Sequence, residues 1–140
     1  AFLSKKRSLG YPRMLKAISQ RRFKSVNPFI PMNALFVCTA ALQRSPTAVE
    51  VFSDIARKKK VSVSVKYAGI HPLAVHVVDE ELIEWADRIY VMENIHKDFI
   101  LAIDKKAAKK MKVLGIPDMY LRNDPELVRI LRKKLEKEIE

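Results

Sequence analysis

The chain has 140 residues, of which 49% are hydrophobic and 31% are charged, and this composition favours a single globular domain. Its formal net charge of +11 suits contact with polyanions. No stretch has the apolar length of a membrane span or the organisation of a secretory signal peptide. A single cysteine, Cys38, excludes an internal disulfide and a cysteine-rich zinc site. Together these features predict a cytoplasmic protein.

The positive charge is concentrated at the start of the chain. Residues 1–31 contain eight Lys and Arg side chains and no Asp or Glu, whereas the other 109 residues contain 19 basic and 16 acidic side chains. We therefore predict a basic N-terminal extension, residues 1–31, and one domain, residues 32–140. Four roles remain open for the extension: binding RNA or a ribonucleoprotein, binding an acidic membrane surface, acting as an organelle transit peptide, or staying solvated.

Helices and strands alternate in the predicted order of elements. A short helix is predicted over residues 12–24 of the extension. The predicted strands of the domain are ALFVC (34–38), VSVSVKYA (61–68), DRIYVM (87–92) and KVLGI (112–116). The predicted helices are SPTAVEVFSDIARKKK (45–60), DEELIEWA (79–86), one or two pieces within ENIHKDFILAIDKKAAKKM (93–111), and DPELVRILRKKLEKEIE (124–140). This alternation predicts a small four-stranded parallel sheet with helices on both faces.

Two helix starts follow from local residue preferences. Ser45 is predicted to cap the first helix of the domain, with Pro46 at its first position. Asp124 is predicted to cap the last helix, with Pro125 at its first position. An apolar stripe should attach that last helix to the core, and its members are Leu127, Leu131 and Leu135.

The segment ALFVCTAALQRSPTAVEVF, residues 34–52, contains the candidate site. Cys38 ends the first predicted strand of the domain, and Arg44 stands six residues later where a helix begins. Backbone N–H groups at a helix start attract anions, and a guanidinium binds phosphate oxygens well. The same surroundings favour the thiolate form of a cysteine, to which Ser45 can donate a hydrogen bond. The alternative is that Cys38 only packs in the core, as many lone cysteines do.

Cys38, five intervening residues and then Arg-Ser-Pro resemble the phosphate-binding loop of the low-molecular-weight protein tyrosine phosphatase family. Three later segments, in the right order, are also similar to that family: YAGIHP (67–72), ELIEWADRIYVME (81–93) and IPDMY (116–120). The resemblance covers roughly residues 33–140 and leaves the extension unexplained.

The resemblance implies a role for each matching residue. Cys38 would attack phosphorus and form a phosphocysteine, Ser45 would steady the sulfur, and Asp118 would act as acid and then as base. The residues that would hold the phosphoryl group are Thr39, Ala40, Ala41, Leu42, Gln43, Arg44 and Ser45. Neither a metal nor a cofactor is implied. Without the resemblance, Asp118 is also typical of a turn in which the carboxylate binds its own backbone.

The resemblance further implies a substrate pocket bordered by Thr39 and walled by Tyr120. The substrate would be a phosphorylated protein or an aryl phosphate. The three histidines, His71, His76 and His96, are scattered without ligand spacing, and we predict that they are turn or surface residues.

Four positions depart from the family pattern. Ala40 and Ala41 replace a Gly-Asn pair, and an alanine in the left-handed conformation expected at 41 costs about 1 kcal/mol. Gln43 replaces a second loop cysteine, so Cys38 is expected to be open to irreversible oxidation. Met119 replaces a proline, which leaves the position of Asp118 less constrained.

The favoured function is therefore a cysteine-dependent phosphatase for phosphotyrosine or other aryl phosphates. The main alternative is a weak or inactive phosphatase fold that binds RNA or a ribonucleoprotein through residues 1–31. Arsenate reductase ranks lower, because a chain with one cysteine would need an outside thiol to relay electrons.

Overall fold

A four-stranded sheet flanked by helices occupies residues 31–139, which are the part of the chain that the computed structural model describes. The predicted helix over residues 12–24 lies outside the described residues, as does all of the extension before residue 31. The proposed division of the chain at residue 31 therefore stays a prediction.

The elements follow in the predicted order. The strands are β1 Met32–Cys38, β2 Val63–Gly69, β3 Arg88–Val91 and β4 Met111–Val113. The α-helices are α1 Arg44–Lys59, α2 Glu80–Trp85, α3 Asn94–Ile103 and α4 Pro125–Leu135, with 3-10 helices at Lys105–Lys110 and Glu136–Glu138. Within the described residues, no helix combines the length and apolar character needed to cross a bilayer.

All strand pairs in the sheet are parallel, and the strand order is β2-β1-β3-β4. This confirms the predicted fold class. The chain leaves β1 for β2 on one side and then crosses to β3 on the other side, so the strand order reverses at β1. Ligands of open α/β sheets bind at such a reversal, beyond the carboxyl ends of the strands. Cys38 is the last residue of β1 and lies at that position.

Both faces of β1 are buried, which explains its uninterrupted apolar sequence. Ala34, Phe36 and Cys38 belong to one core cluster, together with the buried residues of α1 and α4. Leu35 and Val37 belong to the cluster on the opposite face, which includes residues of α2 and α3. The two-residue period of the strand therefore puts Cys38 on the same face as helix α1.

Helix α4 matches its prediction closely. The carboxylate of Asp124 accepts a hydrogen bond from the Glu126 N–H at 2.9 Å, and Pro125 is the first helical residue. The predicted stripe is buried, as shown by Leu127, Leu131 and Leu135. Helix α4 packs beside α1 and closes that face of the sheet.

The start of α1 differs from its prediction. The helix begins at Arg44 and Gln43 is the cap position, so the predictions of Ser45 as N-cap and of Pro46 as the first helical residue are wrong. Ser45 lies in the first turn, where its hydroxyl oxygen is 3.0 Å from Cys38 Sγ. The Ser45 hydroxyl therefore contacts the sulfur of Cys38 and does not accept a hydrogen bond from a backbone N–H of its own helix.

A buried carboxylate fastens the end of the chain to the sheet. Glu138 is 5% exposed, and it accepts hydrogen bonds from Tyr90 Oη at 3.1 Å and Arg88 Nη1 at 3.3 Å. Lys112 Nζ binds its second oxygen. Burial, and then the Glu138 carboxylate, raise the pKa of Tyr90, so its hydroxyl stays a donor. These residues form a closed cluster in which both carboxylate oxygens have donors.

Candidate active site

The loop between β1 and α1 has backbone N–H groups without protein partners. Within residues 31–139, none of the N–H groups of residues 40–45 donates a hydrogen bond to another protein group. The carbonyls of Cys38 and Thr39 instead accept from the N–H groups of Ile70 and His71, at 3.1 and 3.0 Å. Carbonyl oxygens are thus tied to the next strand, while a run of consecutive donors remains available for an anion.

Close backbone packing supports this loop. A Cβ atom at Gly69 would lie 2.4 Å from the carbonyl oxygen of Thr39 and 3.0 Å from the Ala41 nitrogen. Glycine is therefore needed at the end of β2, where it lets the two backbones meet. This support was not singled out from the sequence, although a glycine directly after an alternating strand is a usable signal of close backbone approach.

Ala41 has the left-handed backbone conformation that was expected from the sequence at this loop position. Its φ is 60°, and the residue is 2% exposed. The strain of about 1 kcal/mol is therefore present in the loop of this chain. Leu42, the next residue, is 51% exposed and points its apolar surface outward from the loop.

Arg44 is buried at the base of the loop and has three hydrogen-bond partners. Its Nη1 donates to Glu93 Oε1 at 2.6 Å and to the Ile116 carbonyl at 2.8 Å. Its Nη2 donates to Thr39 Oγ1 at 3.3 Å. The guanidinium thereby joins the loop to the chain that follows β3 and to the chain that follows β4. Its geometry is fixed before any ligand arrives.

One edge of the Arg44 guanidinium remains unused. Arg44 Nε and one N–H of Nη2 make no hydrogen bond within the described residues, and Nε is 3.8 Å from Asp118 Oδ1. No side-chain nitrogen or oxygen within residues 31–139 is both fully buried and without a hydrogen-bond partner. The Nε/Nη2 edge is the fork that binds two oxygens of a phosphate or carboxylate.

Cys38 lies beneath the loop, and its thiol is in contact with a hydroxyl donor. Cys38 is 2% exposed, and its sulfur lies 3.0 Å from Ser45 Oγ. A serine hydroxyl in this position can donate to a thiolate, and the loop amides and Arg44 add favourable positive potential. The structure thus brings Cys38, Arg44 and Ser45 together as their spacing predicts.

Asp118 and Tyr120 lie on the loop between β4 and α4. The Asp118 side chain is 66% exposed and lies on the open side of Arg44. Tyr120 is half-buried against the core cluster of α1 and α4, whereas Met119 is 70% exposed. The structure therefore brings Asp118 to Arg44, whereas Tyr120 packs against the core cluster.

Gln43 contributes through its side chain as well as its backbone. Its Oε1 accepts a hydrogen bond from the Arg122 N–H, and Thr47 Oγ1 accepts from the Asn123 N–H at 3.0 Å. Gln43 thus ties the loop between β1 and α1 to the loop that carries Asp118. This tie constrains the segment in which Met119 replaces a proline.

Glu93 and His96 belong to the site, although sequence reasoning missed them. Glu93 binds Arg44, and its backbone N–H donates to His96 Nδ1 at 2.9 Å. His96 Nε2 is 3.0 Å from Thr39 Oγ1. A usable signal for Glu93 was its place directly after β3, because strand carboxyl ends meet at one edge of a parallel sheet.

The prediction that His96 is a turn or surface residue is wrong, because its side chain is fully buried. Burial, and then the nearby Arg44 guanidinium, lower the pKa of His96 to about 4. The ring is therefore neutral at pH 7. His71 and His76 are exposed, as predicted. No cluster of three or more His, Cys, Asp or Glu side chains suited to a metal ion occurs within residues 31–139.

Known proteins resemble the chain in sequence and in structure, although no protein-family model matches it. The protein-arginine-phosphatase of Bacillus subtilis (strain 168) is 34% identical over 91 residues, which span 49% of this chain and 61% of that protein. A mutant of YwlE from Bacillus subtilis has 27% identity and a TM-score of 0.57, over 76% of this chain and 92% of that one.

A solution structure of a low-molecular-weight protein tyrosine phosphatase from Bacillus subtilis shows the same likeness. It has 26% identity and a TM-score of 0.60, over 76% of this chain and 98% of that one. These likenesses agree with the resemblance noted from the sequence. The chain is thus similar in sequence to a protein-arginine-phosphatase, over less than two thirds of that protein's length, and similar in structure to a low-molecular-weight protein tyrosine phosphatase.

Proposed function

We propose that the chain is a cysteine-dependent phosphatase that hydrolyses phosphotyrosine or another aryl phosphate. The observation that carries this proposal is the set of free N–H donors between Cys38 and Arg44, beside the free edge of the buried guanidinium. A tetrahedral dianion fits such a set, because its oxygens accept from several directions at once. The thiol lies under the same loop, where it can reach a bound phosphorus.

The first chemical step transfers the phosphoryl group to the enzyme. The Cys38 thiolate attacks phosphorus, and the bond between phosphorus and the phenolate oxygen breaks. Asp118 donates its proton to that oxygen. The loop amides and Arg44 stabilise the charge on the three equatorial oxygens during transfer.

The second step releases phosphate. Asp118, now a carboxylate, accepts a proton from the water that attacks phosphorus, and the bond between phosphorus and sulfur breaks. Ser45 donates a hydrogen bond to the departing Cys38 thiolate, over the 3.0 Å contact described above. The products are inorganic phosphate and the free enzyme, and the sequence of steps balances without a metal or a redox partner.

The exposed apolar side chains around the loop support an aryl leaving group. Leu42 is 51% exposed on the loop itself, and Met119 is 70% exposed beside Asp118. Tyr120 adds a half-buried ring on the same segment. Such surfaces suit a flat apolar ring better than they suit the charged leaving group of phosphoarginine.

A second candidate function is hydrolysis of phosphoarginine in proteins. It is favoured by the sequence match to the Bacillus subtilis protein-arginine-phosphatase, which is 34% identical over the matched 91 residues. A phosphotyrosine peptide and a phosphoarginine peptide of otherwise equal sequence separate the two candidates. We expect the higher kcat/KM with phosphotyrosine.

The test of the phosphatase proposal is hydrolysis of p-nitrophenyl phosphate by the full chain, in the presence of a chelator. Cys38→Ser should abolish turnover, and Asp118→Asn should lower kcat by about 10² to 10⁴. Glu84→Gln removes an exposed carboxylate on α2 and serves as the matched control, which should leave kcat unchanged. Turnover that survives in Cys38→Ser would rule out the phosphocysteine route.

The sequence-based alternatives remain open to direct assay. RNA binding by the basic extension rests on residues outside the described part and stays a prediction, which a salt-dependent binding assay would test. Arsenate reduction with an added thiol is a second assay on the same preparation. A cytoplasmic location is part of the phosphatase proposal, because a catalytic thiol has to stay reduced.

A further inference from the structure

His96 is a buried titratable residue that the two chemical steps above do not use. Its side chain is fully buried, and its two ring nitrogens have different partners. Nδ1 faces the backbone N–H of Glu93 at 2.9 Å, and Nε2 faces the hydroxyl of Thr39 at 3.0 Å. Thr39 directly follows the candidate nucleophile, Cys38, in the chain.

The directions of these hydrogen bonds follow from the donors involved. A backbone N–H can only donate, so Nδ1 of His96 has to be the acceptor. A neutral imidazole carries one hydrogen, which must therefore be on Nε2. His96 Nε2 consequently donates to Thr39 Oγ1.

Thr39 Oγ1 receives a second hydrogen bond from Arg44 Nη2, at 3.3 Å. A hydroxyl oxygen has two lone pairs, and both are now filled by donors. The hydroxyl can then only donate through its own hydrogen. Within residues 31–139, no acceptor is paired with Thr39 Oγ1, so its own hydrogen remains available beside the loop.

We propose that His96 is a positioning residue that makes the Thr39 hydroxyl a hydrogen-bond donor to the anion held by the loop. This inference rests on the proposed function, because the anion is the phosphoryl group of the substrate. The Thr39 hydroxyl adds a donor to those of the loop amides and the Arg44 fork. His96 itself touches neither substrate nor phosphorus.

A pair of substitutions separates the two hydrogen bonds of His96. In His96→Asn, the amide oxygen replaces Nδ1 and keeps the bond to Glu93, but the side chain is too short to reach Thr39. In His96→Gln, the amide nitrogen replaces Nε2 and still donates to Thr39. His76→Asn, on an exposed histidine, is the control for the chemical change.

The first measurement is kcat/KM for p-nitrophenyl phosphate in the full chain. We expect His96→Asn and Thr39→Val each to lower it about tenfold, and His96→Gln and Thr39→Ser to retain most of it. Because His96 acts through the Thr39 hydroxyl, Thr39→Val combined with His96→Asn should lose no more than either change alone. A purely structural role would instead give losses that multiply, and that result would overturn the inference.

The second measurement does not need turnover. The dissociation constant of inorganic phosphate is measured by calorimetry in a Cys38→Ser background, with thermal unfolding as a check on folding. We expect the same pattern: weaker binding with His96→Asn or Thr39→Val, and no further weakening when they are combined. Equal phosphate affinity in all these variants would overturn the inference.

Failure of the inference can be told apart from failure of the proposed function. Suppose that turnover depends on Cys38, but that the losses of kcat/KM in His96→Asn and Thr39→Val multiply when the two changes are combined. The phosphatase proposal would then stand, and the role of His96 would be removed. Phosphate binding with the expected pattern but without turnover would support the role of His96 and remove the phosphatase proposal. A chain that neither hydrolyses p-nitrophenyl phosphate nor binds phosphate would remove both.

Discussion

Two buried ion clusters in this protein differ in one respect. In the closed cluster around Glu138, both carboxylate oxygens accept from protein donors, namely Arg88, Tyr90 and Lys112. In the cluster around Arg44, Glu93 and Ile116 bind one end of the guanidinium, while the Nε/Nη2 edge keeps unused N–H groups. A closed cluster is expected to stabilise the fold, whereas an open one retains donors for a ligand.

The largest difference is expected for Arg44→Lys compared with Arg88→Lys. Lysine keeps the charge but loses the planar fork, so Arg44→Lys should lower kcat/KM by about 10³. Arg88→Lys, in the closed cluster, should leave kcat/KM unchanged and lower only the free energy of unfolding. Steady-state kinetics with p-nitrophenyl phosphate and urea unfolding measure the two effects. Equal losses of activity would contradict the division into an open and a closed cluster.

The next effect is a dependence of stability on pH that comes from His96. Its folded pKa is about 4, below the ordinary 6.5, because burial and Arg44 oppose the proton. Glu93 and Asp118 favour the proton but do not outweigh those effects. Between these pH values the unfolded chain binds the proton and the folded chain does not, so stability falls as the pH falls from 6.5 to 4, by up to about 3 kcal/mol.

This pH dependence is measured as the free energy of unfolding in urea across that range. In His96→Gln the contribution disappears, because glutamine does not titrate. His76→Gln, on an exposed ring, is the control and should keep the wild-type slope. An unchanged slope in His96→Gln would mean that other groups produce the dependence.

A smaller effect is expected in the closed cluster for Glu138→Gln. Glutamine can still accept from Tyr90, but the charges of Arg88 and Lys112 lose their counterion, so the free energy of unfolding should fall by about 2 kcal/mol. Because the cluster is separate from the loop between β1 and α1, kcat should not change at a temperature where the variant is folded. Glu136→Gln, on an exposed side chain, is the control. A loss of kcat in Glu138→Gln would show that the two clusters are coupled.

The smallest effect concerns backbone strain at two positions with positive φ, Lys60 and Ala41. Lys60 ends α1 with φ 58° and is exposed, so Lys60→Gly should stabilise the protein by about 0.5 to 1 kcal/mol. Ala41→Gly relieves similar strain, at φ 60°, but removes a buried methyl group worth about 0.8 kcal/mol, so its net effect should be near zero. Thermal unfolding of both variants tests this. A larger gain for Ala41→Gly than for Lys60→Gly would contradict the argument.

Local patterns in the sequence determined much of this protein. The apolar run ALFVC predicted β1, and Asp124, Pro125 and the leucine stripe predicted α4, because caps and periodicity act within a few residues. The spacing of Cys38, Arg44 and Ser45 predicted the position of the candidate site, since one strand, loop and helix start carry all three.

Tertiary structure alone decided the partners of those residues. Thr39 and His96 are 57 positions apart and Arg44 and Glu93 are 49 apart, so no local pattern pairs them. Ser45 was predicted both as a helix cap and as a donor to the sulfur of Cys38, and the fold keeps only the contact with the sulfur. Local preference selects the elements, whereas the meeting of strand ends at one edge of the parallel sheet selects which side chains face each other.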